Sequence, residues 1–298
     1  MNDSWQAQKP LLQRQLRPEL QGALPETAQT LHRVLGINPL SRQAKADAES
    51  PLKADLLILD EASMIDLPLL AQVLQALPGE CHLLLVGDPN QLPSIEAGNL
   101  LGSLMPDAEG RYALPALKCA HLHLQENYRQ LAQEGLSRLA RDCLLLPAEQ
   151  FVDQLTANTY PHVSWSPHPL GQRQQIITEA IRFYRELAAG ADAGAALARL
   201  NERIILTPLR GGPTGCETLN LMIGRGLSAA DKFHGQAIMI TENAPQLGLA
   251  NGDTGLLWRD GEDGLQAVFL TGGAVAQFSL GSLPAHEAAY AMTVHKAQ

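Results

Sequence analysis

Residues 56–66 read LLILDEASMID, an apolar run that passes without a break into Asp60 and Glu61. Adjacent carboxylates suit divalent-cation chemistry: one holds Mg²⁺ directly or through water, and its neighbour orients and activates an attacking water. The same acids are also favoured at the start of a helix, through its dipole. A second run, LLLVGDPNQLPSIEAG, ends in Gly87, Asp88, Pro89 and Asn90, followed by Gln91. A side-chain amide donates to a phosphate oxygen and accepts from water, so it can sense a γ-phosphate. GDPN by itself reads as a turn. Two strand ends bearing this chemistry are harder to assign to capping and turns alone.

The elements that must position these residues follow from the pattern. The runs ADLLILDE, CHLLLVGD and ERIILTPLR read as strands, and LPLLAQVLQAL and RQQIITEAIRFYRELA as helices. Their alternation predicts an α/β fold of βαβ units around parallel sheet, with the first strand fully buried. In such a sheet, ligands bind beyond the carboxyl ends of the strands, where Asp60, Glu61 and Gln91 stand. Residues 147–172, rich in Pro, His and small polar residues, read as a connector. Residues 251–285, with short alternating runs and frequent Gly, read as a small antiparallel β insertion. RELAAGADAGAALARL reads as helix with a Gly-containing break, and no internal repeat is visible.

The chain has 298 residues, enough for two domains with cores of their own. Apolar residues are 45% and charged residues 18%, a soluble globular balance. No apolar run reaches the roughly 20 residues needed to cross a bilayer, and MNDSWQAQKP lacks the regions of a signal peptide, so a cytoplasmic protein without a membrane partner is expected. Cys81, Cys119, Cys143 and Cys216 stand far apart, which indicates reduced thiols rather than a zinc site or a disulfide framework. The net charge of −9 excludes a generally basic surface but leaves room for a local groove lined by arginines.

DEAS and GDPNQLPS resemble motifs II and III of superfamily 1 helicases. Further segments match in the family's order. TLHRVLG, TPLRGGPTGCETLN, NGDTG and AMTVHKAQ are similar to segments of the RecD branch, which includes the alpha subunits of exodeoxyribonuclease V, and LQENYRQ resembles motif IV. The resemblance covers most of Thr30 to Gln298. It implies two RecA-like parallel-sheet domains that close over ATP and Mg²⁺, with an SH3-like antiparallel insertion in the second. The expected extents are 1–120 for the first domain, 121–250 for the second, 251–285 for the insertion and 286–298 for the return. It also implies 5′-to-3′ movement on single-stranded DNA and association with RecB-like and RecC-like subunits. Asp60 would hold the Mg²⁺ shell, Glu61 would activate water, Gln91 would sense the γ-phosphate and Arg129 would stabilise transition-state charge. Thr30, His32, Arg33, Arg210 and His295 are the implied DNA-binding residues.

The chain departs from the family pattern in one respect that matters for activity. A nucleotide-binding loop G-x-x-x-x-G-K-[ST] uses backbone N–H groups and a lysine to cradle phosphates, and none of the six lysines here follows a glycine. The sequence also stops before the family's last motif. An internal fragment with both RecA-like domains incomplete is the expectation, inactive towards ATP on its own. Two other classes stay open. A metal-dependent nuclease would use Asp60, Glu61 and Asp88, would need neither Gln91 nor Arg129, and would cut without ATP. A non-catalytic assembly subunit would bind neither nucleotide nor DNA, and a Glu61→Gln variant of it would keep partner binding with no loss of the complex's motor activity.

Overall fold

The computed structural model describes every residue except 1, 23, 39, 95–97, 108, 125–133, 191, 260–263, 272 and 298, with backbone only at 2–4, 6, 7, 169 and 170. The chain divides into two compact units, Met1–Gln125 and Glu126–Gln298.

In the first unit, α1 (Asn2–Gln15), α2 (Pro18–Gln21) and α3 (Leu31–Leu35) precede β1 (Leu56–Leu59), α4 (Leu67–Ala76), β2 (His82–Leu85) and α5 (Leu100–Leu104). Helix α4 starts where its sequence dictates: the Asp66 side chain accepts from the Leu69 N–H at 2.7 Å, and Pro68 stands in the first turn. Its Leu70, Val73 and Ala76 fall on one stripe, which is buried. β1 and β2 are parallel, in register Leu56 to His82 through Leu59 to Leu85. Leu59 joins Leu35, Ala62, Ile65, Leu70, Val73 and Leu100 in one core, so α3, α4 and α5 cover a single face of the pair. Each fully buried Leu or Val stabilises by roughly 1.5–3 kcal/mol.

The strand expected to be fully buried is not. Leu56 and Ile58 are each 53% exposed and Leu84 is 48% exposed, because side chains alternate between faces and, among the described residues, helices pack on one face only.

The second unit opens with α6 (Glu134–Leu145), α7 (Ala148–Thr156), α8 (Pro169–Ala188) and α9 (Ala193–Leu200). The stretch 147–172 holds α7 and a buried Tyr160, whose hydroxyl donates to Asp142 at 3.2 Å. Then come β3 (Ile205–Thr207), α10 (Cys216–Leu227), β4 (Gln236–Ile240), β5 (Thr254–Arg259), β6 (Leu265–Thr271), β7 (Ala274–Ser279), β8 (His286–Ala288) and β9 (Ala291–Thr293). β3 and β9 form a parallel pair, Ile205 opposite Ala291 and Thr207 opposite Thr293. The other five strands make an antiparallel sheet in the order β7-β6-β5-β4-β8. Three of its strands lie within residues 251–285, and β4 and β8 flank them in sequence. Alternation along β4, β5 and β6 buries both faces: Ala237, Met239, Leu256, Trp258 and Val268 pack with α8, α9 and α10, while Ile238, Ile240, Leu257, Ala267 and Phe269 form a second core. Each unit thus carries a parallel pair, and the second adds an antiparallel sheet, the α/β class that the alternation implies. No helix of the described residues is long and apolar enough to cross a membrane.

Candidate functional site

The chemistry-bearing residues of the first unit sit at the carboxyl ends of β1 and β2, where a parallel sheet presents its loops. Directly after β1, Glu61 adopts a left-handed backbone, φ 54 and ψ 42, and starts a 3₁₀ turn over Ala62–Met64. A non-glycine residue there carries strain, of order 1 kcal/mol or more. Asp60 Oδ1 accepts the Glu61 N–H at 3.0 Å and holds the turn from inside. Both carboxylates are exposed, and among the described residues neither forms an ion pair.

The loop after β2 is stitched to that turn by the backbone. The Ala62 N–H donates to the Val86 carbonyl at 2.9 Å, and the Val86 N–H to the Leu59 carbonyl at 2.8 Å. Gly87 lies at the crossing: a Cβ there would meet Leu101 Cδ2 at 2.9 Å, the Ala62 nitrogen at 3.0 Å and the Ser63 nitrogen at 3.1 Å. Only a residue without a side chain lets the two loops approach this closely. Beyond it, Asp88 Oδ1 accepts the Asn90 N–H at 2.9 Å, and the Gln91 N–H donates to the Asp88 carbonyl at 3.2 Å. Gln91 is exposed. Asp60, Glu61, Asp88 and Gln91 are therefore carried by two loops that touch. Hard carboxylate oxygens at an open strand end fit a Mg²⁺ ion that keeps most of its waters; the phosphate cradle of a nucleotide is not among this chain's sequence motifs. Arg129, expected to complete the set, lies outside the described residues.

Thr30, His32 and Arg33 share the exposed side of α3. Leu35 is wholly buried and anchors the helix, and Gly36 closes it in a left-handed C-cap with φ 64. Thr30 occupies the N-cap without a side-chain capping bond and is exposed.

The second unit repeats the logic of the first. The carboxyl ends of β3 and β9 lie side by side, and the segments after them carry Arg210 and the pair His295 and Lys296. The loop after β3 is fixed by Thr207, whose hydroxyl donates to the Thr214 carbonyl at 2.9 Å and accepts the Leu209 N–H at 3.2 Å. Gly215 lets the loop fold onto α10, since a Cβ there would lie 2.2 Å from the Gly211 carbonyl oxygen. Arg210 Nε donates to Glu217 at 2.8 Å, and Lys296 Nζ to Glu287 at 2.6 Å. The Glu217 carboxylate, hydrogen-bonded to the guanidinium, and the Glu287 charge farther off together hold the Arg210 pKa above its ordinary value. Arg210 and Lys296 are thus each paired with an acid; His295 is half-buried in the same 3₁₀ turn as Lys296.

Sequence reasoning missed Asn220. It accepts the Ala291 N–H at 2.7 Å and donates to the carbonyls of Ala288 and Ala291 at 2.8 and 2.9 Å, tying α10 to the junction between β8 and β9. Its place in the quoted TPLRGGPTGCETLN segment is the one signal that marks it. Glu217 and Glu287 were also missed, since an exposed acid on a helix or strand reads as a solvated surface.

Comparisons with known proteins bear on these segments. A family model described as an AAA domain matches residues 11–97. The RecBCD enzyme subunit RecD of Mycolicibacterium smegmatis is 32% identical over 280 residues, 91% of this chain and 48% of that protein. The subunit of the same name from Haemophilus influenzae is 29% identical over 327 residues, 93% of this chain and 50% of that one. The ATP-dependent RecD2 DNA helicase of Deinococcus radiodurans is 29% identical over 281 residues, 91% and 34% respectively. Among solved structures, the Pif1 helicase from Bacteroides with ADP-AlF3 and single-stranded DNA is 17% identical, with a TM-score of 0.46, over 90% of this chain and 70% of that one. The chain spans about half the length of these two RecD subunits, and over that span its sequence is similar to theirs.

Proposed function

We propose that this chain supplies the hydrolytic carboxylates and part of the strand-binding surface of an ATP-dependent DNA helicase of the RecBCD type, moving 5′ to 3′ on single-stranded DNA in the cytoplasm alongside RecB-like and RecC-like subunits. The observation that carries the reading is the crossing at Gly87, which joins the Asp60–Glu61 turn to the Asp88–Gln91 loop at the ends of two parallel strands. A nucleotide with Mg²⁺ bound there would supply the electrophilic phosphorus and the cation that neutralises its oxygens. Asp60 would hold the cation's water shell, Glu61 would take the proton of the attacking water, and Gln91 would sense the γ-phosphate. Arg129 offsets the charge that develops on the transferred group. The proposed domain extents are 1–120 and 121–250, with the β insertion at 251–285 and a return to the second domain at 286–298.

Thr30, His32 and Arg33 in the first unit, and Arg210 and His295 in the second, are assigned to the strand. Phosphate contacts of this kind make binding strongly salt-dependent. Because no lysine here follows a glycine, the chain alone is expected to be inert towards ATP, and turnover requires a polypeptide that also contains a G-x-x-x-x-G-K-[ST] segment. The test is steady-state ATP hydrolysis with and without single-stranded DNA, on this chain and on such a longer polypeptide. DNA-stimulated turnover by the longer protein alone is the expected result. Turnover by this chain, or none by either, overturns the proposal.

A further inference from the structure

Arg210 and Lys296 do not stand free at the ends of β3 and β9. Each is closed by an acid from an element that packs beside it: Glu217 from the first turn of α10, and Glu287 from β8. Both pairs are open to water, the side chains of Arg210 and Glu217 being 72% and 59% exposed and those of Lys296 and Glu287 33% and 38%. Exposed ion pairs contribute little to stability, and a phosphodiester can replace a carboxylate on a guanidinium with the same geometry. The acids are held by the fold and not by the cations. The Glu217 N–H bonds the Arg210 carbonyl at 3.1 Å, and Glu287 lies within β8 opposite Met239. Their backbone positions therefore do not depend on the ion pairs.

We infer that Glu217 and Glu287 are positioning residues for strand binding: they hold Arg210 and Lys296 in place as internal stand-ins for phosphate, and the DNA backbone must displace them. The inference rests on the proposed assignment of this surface to single-stranded DNA. Its consequence is that the carboxylates set the affinity and its salt dependence. A strand that takes Arg210 from Glu217 leaves a carboxylate to be neutralised by a cation from solution, which offsets part of the counterion release that phosphate neutralisation gives. Weak, salt-tuned binding is what a motor that must release and re-grip a strand requires.

The experiment is fluorescence anisotropy of a labelled oligo-dT with this chain across a range of salt concentrations. Glu217→Gln keeps an oxygen able to accept from Arg210 Nε but removes the charge; it is expected to tighten binding about two- to fivefold and to steepen the slope of log K against log salt by up to about 0.7. Glu287→Gln is expected to act in the same direction, Glu217→Asp to restore wild-type behaviour, and Arg210→Ala to weaken binding and to remove the effect of Glu217→Gln in the double variant. A merely structural role for Glu217 would leave the salt slope where it is. If Arg210→Ala weakens binding but Glu217→Gln neither tightens it nor changes the slope, the inference is wrong and the strand assignment stands. If Arg210→Ala has no effect, or the chain binds no oligo-dT, the strand assignment itself fails and takes the inference with it. Titration with tripolyphosphate separates nucleotide from strand, and an effect of Glu217→Gln confined to that anion overturns the assignment to DNA.

Discussion

Replacing Asn220 by alanine removes three hydrogen bonds at once: two donated to the carbonyls of Ala288 and Ala291, and one accepted from the Ala291 N–H. Each nets about 1 kcal/mol, and alanine offers no substitute partner, so the variant loses about 3 kcal/mol. Ala291 is 2% exposed, and water cannot reach its amide without opening the parallel pair. For a unit of this size, 1 kcal/mol lowers Tm by roughly 2–4 °C, which puts the expected fall near 10 °C. Asn220→Asp keeps the acceptor but sets a carboxylate against two carbonyls, and is expected to be no milder. Thermal and urea unfolding give the stability, and amide hydrogen exchange at Ala291 gives the location, with protection lost there first. A loss below about 0.5 kcal/mol, or unchanged exchange at Ala291, would refute the claim that Asn220 holds the junction carrying Glu287, His295 and Lys296.

Three further outcomes follow from the geometry. Gly87→Ala places a methyl against two backbone nitrogens that cannot yield, and is expected to cost roughly 1–3 kcal/mol in urea unfolding; a neutral result would mean that the two loops are not in fixed contact. Glu61→Asn puts a residue tolerant of the left-handed region at φ 54, and is expected to raise stability by about 0.5–1 kcal/mol while abolishing ATP turnover in the longer polypeptide, so lowered stability would remove the case for backbone strain. The Arg111 N–H, first, and then its side chain hold the Asp107 carboxyl below the usual carboxylate range. A group depressed in this way contributes stability above its unfolded pKa, and the contribution fades as pH falls through the lower folded value. NMR titration should find Asp107 depressed in the native chain and raised only part of the way by Arg111→Ala, which keeps the backbone donor; an unshifted Asp107 contradicts this.

Local pattern carried the elements but not their surroundings. The runs at 56–59, 67–76, 82–85 and 173–188 announced themselves by apolar periodicity, though the last helix starts earlier, at Pro169, inside the stretch read as a connector, and the change of texture after Asn251 announced antiparallel sheet. The exposure of Leu56 and Ile58 did not follow, because an apolar strand reads the same whether one face or two are covered, and coverage depends on which helices pack there. Pairing of β3 with β9 joins segments that lie far apart in sequence, with an entire five-stranded sheet between them, and no local signal specifies it. The site was legible where chemistry is short-range: DEAS and GDPNQ fix their own turns through Asp60 and Asp88. Asn220, Glu217 and Glu287 act only through partners brought by the fold, and so had no voice of their own in the sequence.

The central claim is that Glu61 activates the water that attacks ATP. It is tested most directly by the rate of ATP hydrolysis, with saturating single-stranded DNA, of a Glu61→Gln variant in a polypeptide that also contains the nucleotide-binding loop. The account predicts that hydrolysis is lost while ATP and DNA are still bound. Hydrolysis at the unsubstituted rate would contradict it and leave the carboxylate pair a structural feature of the turn after β1.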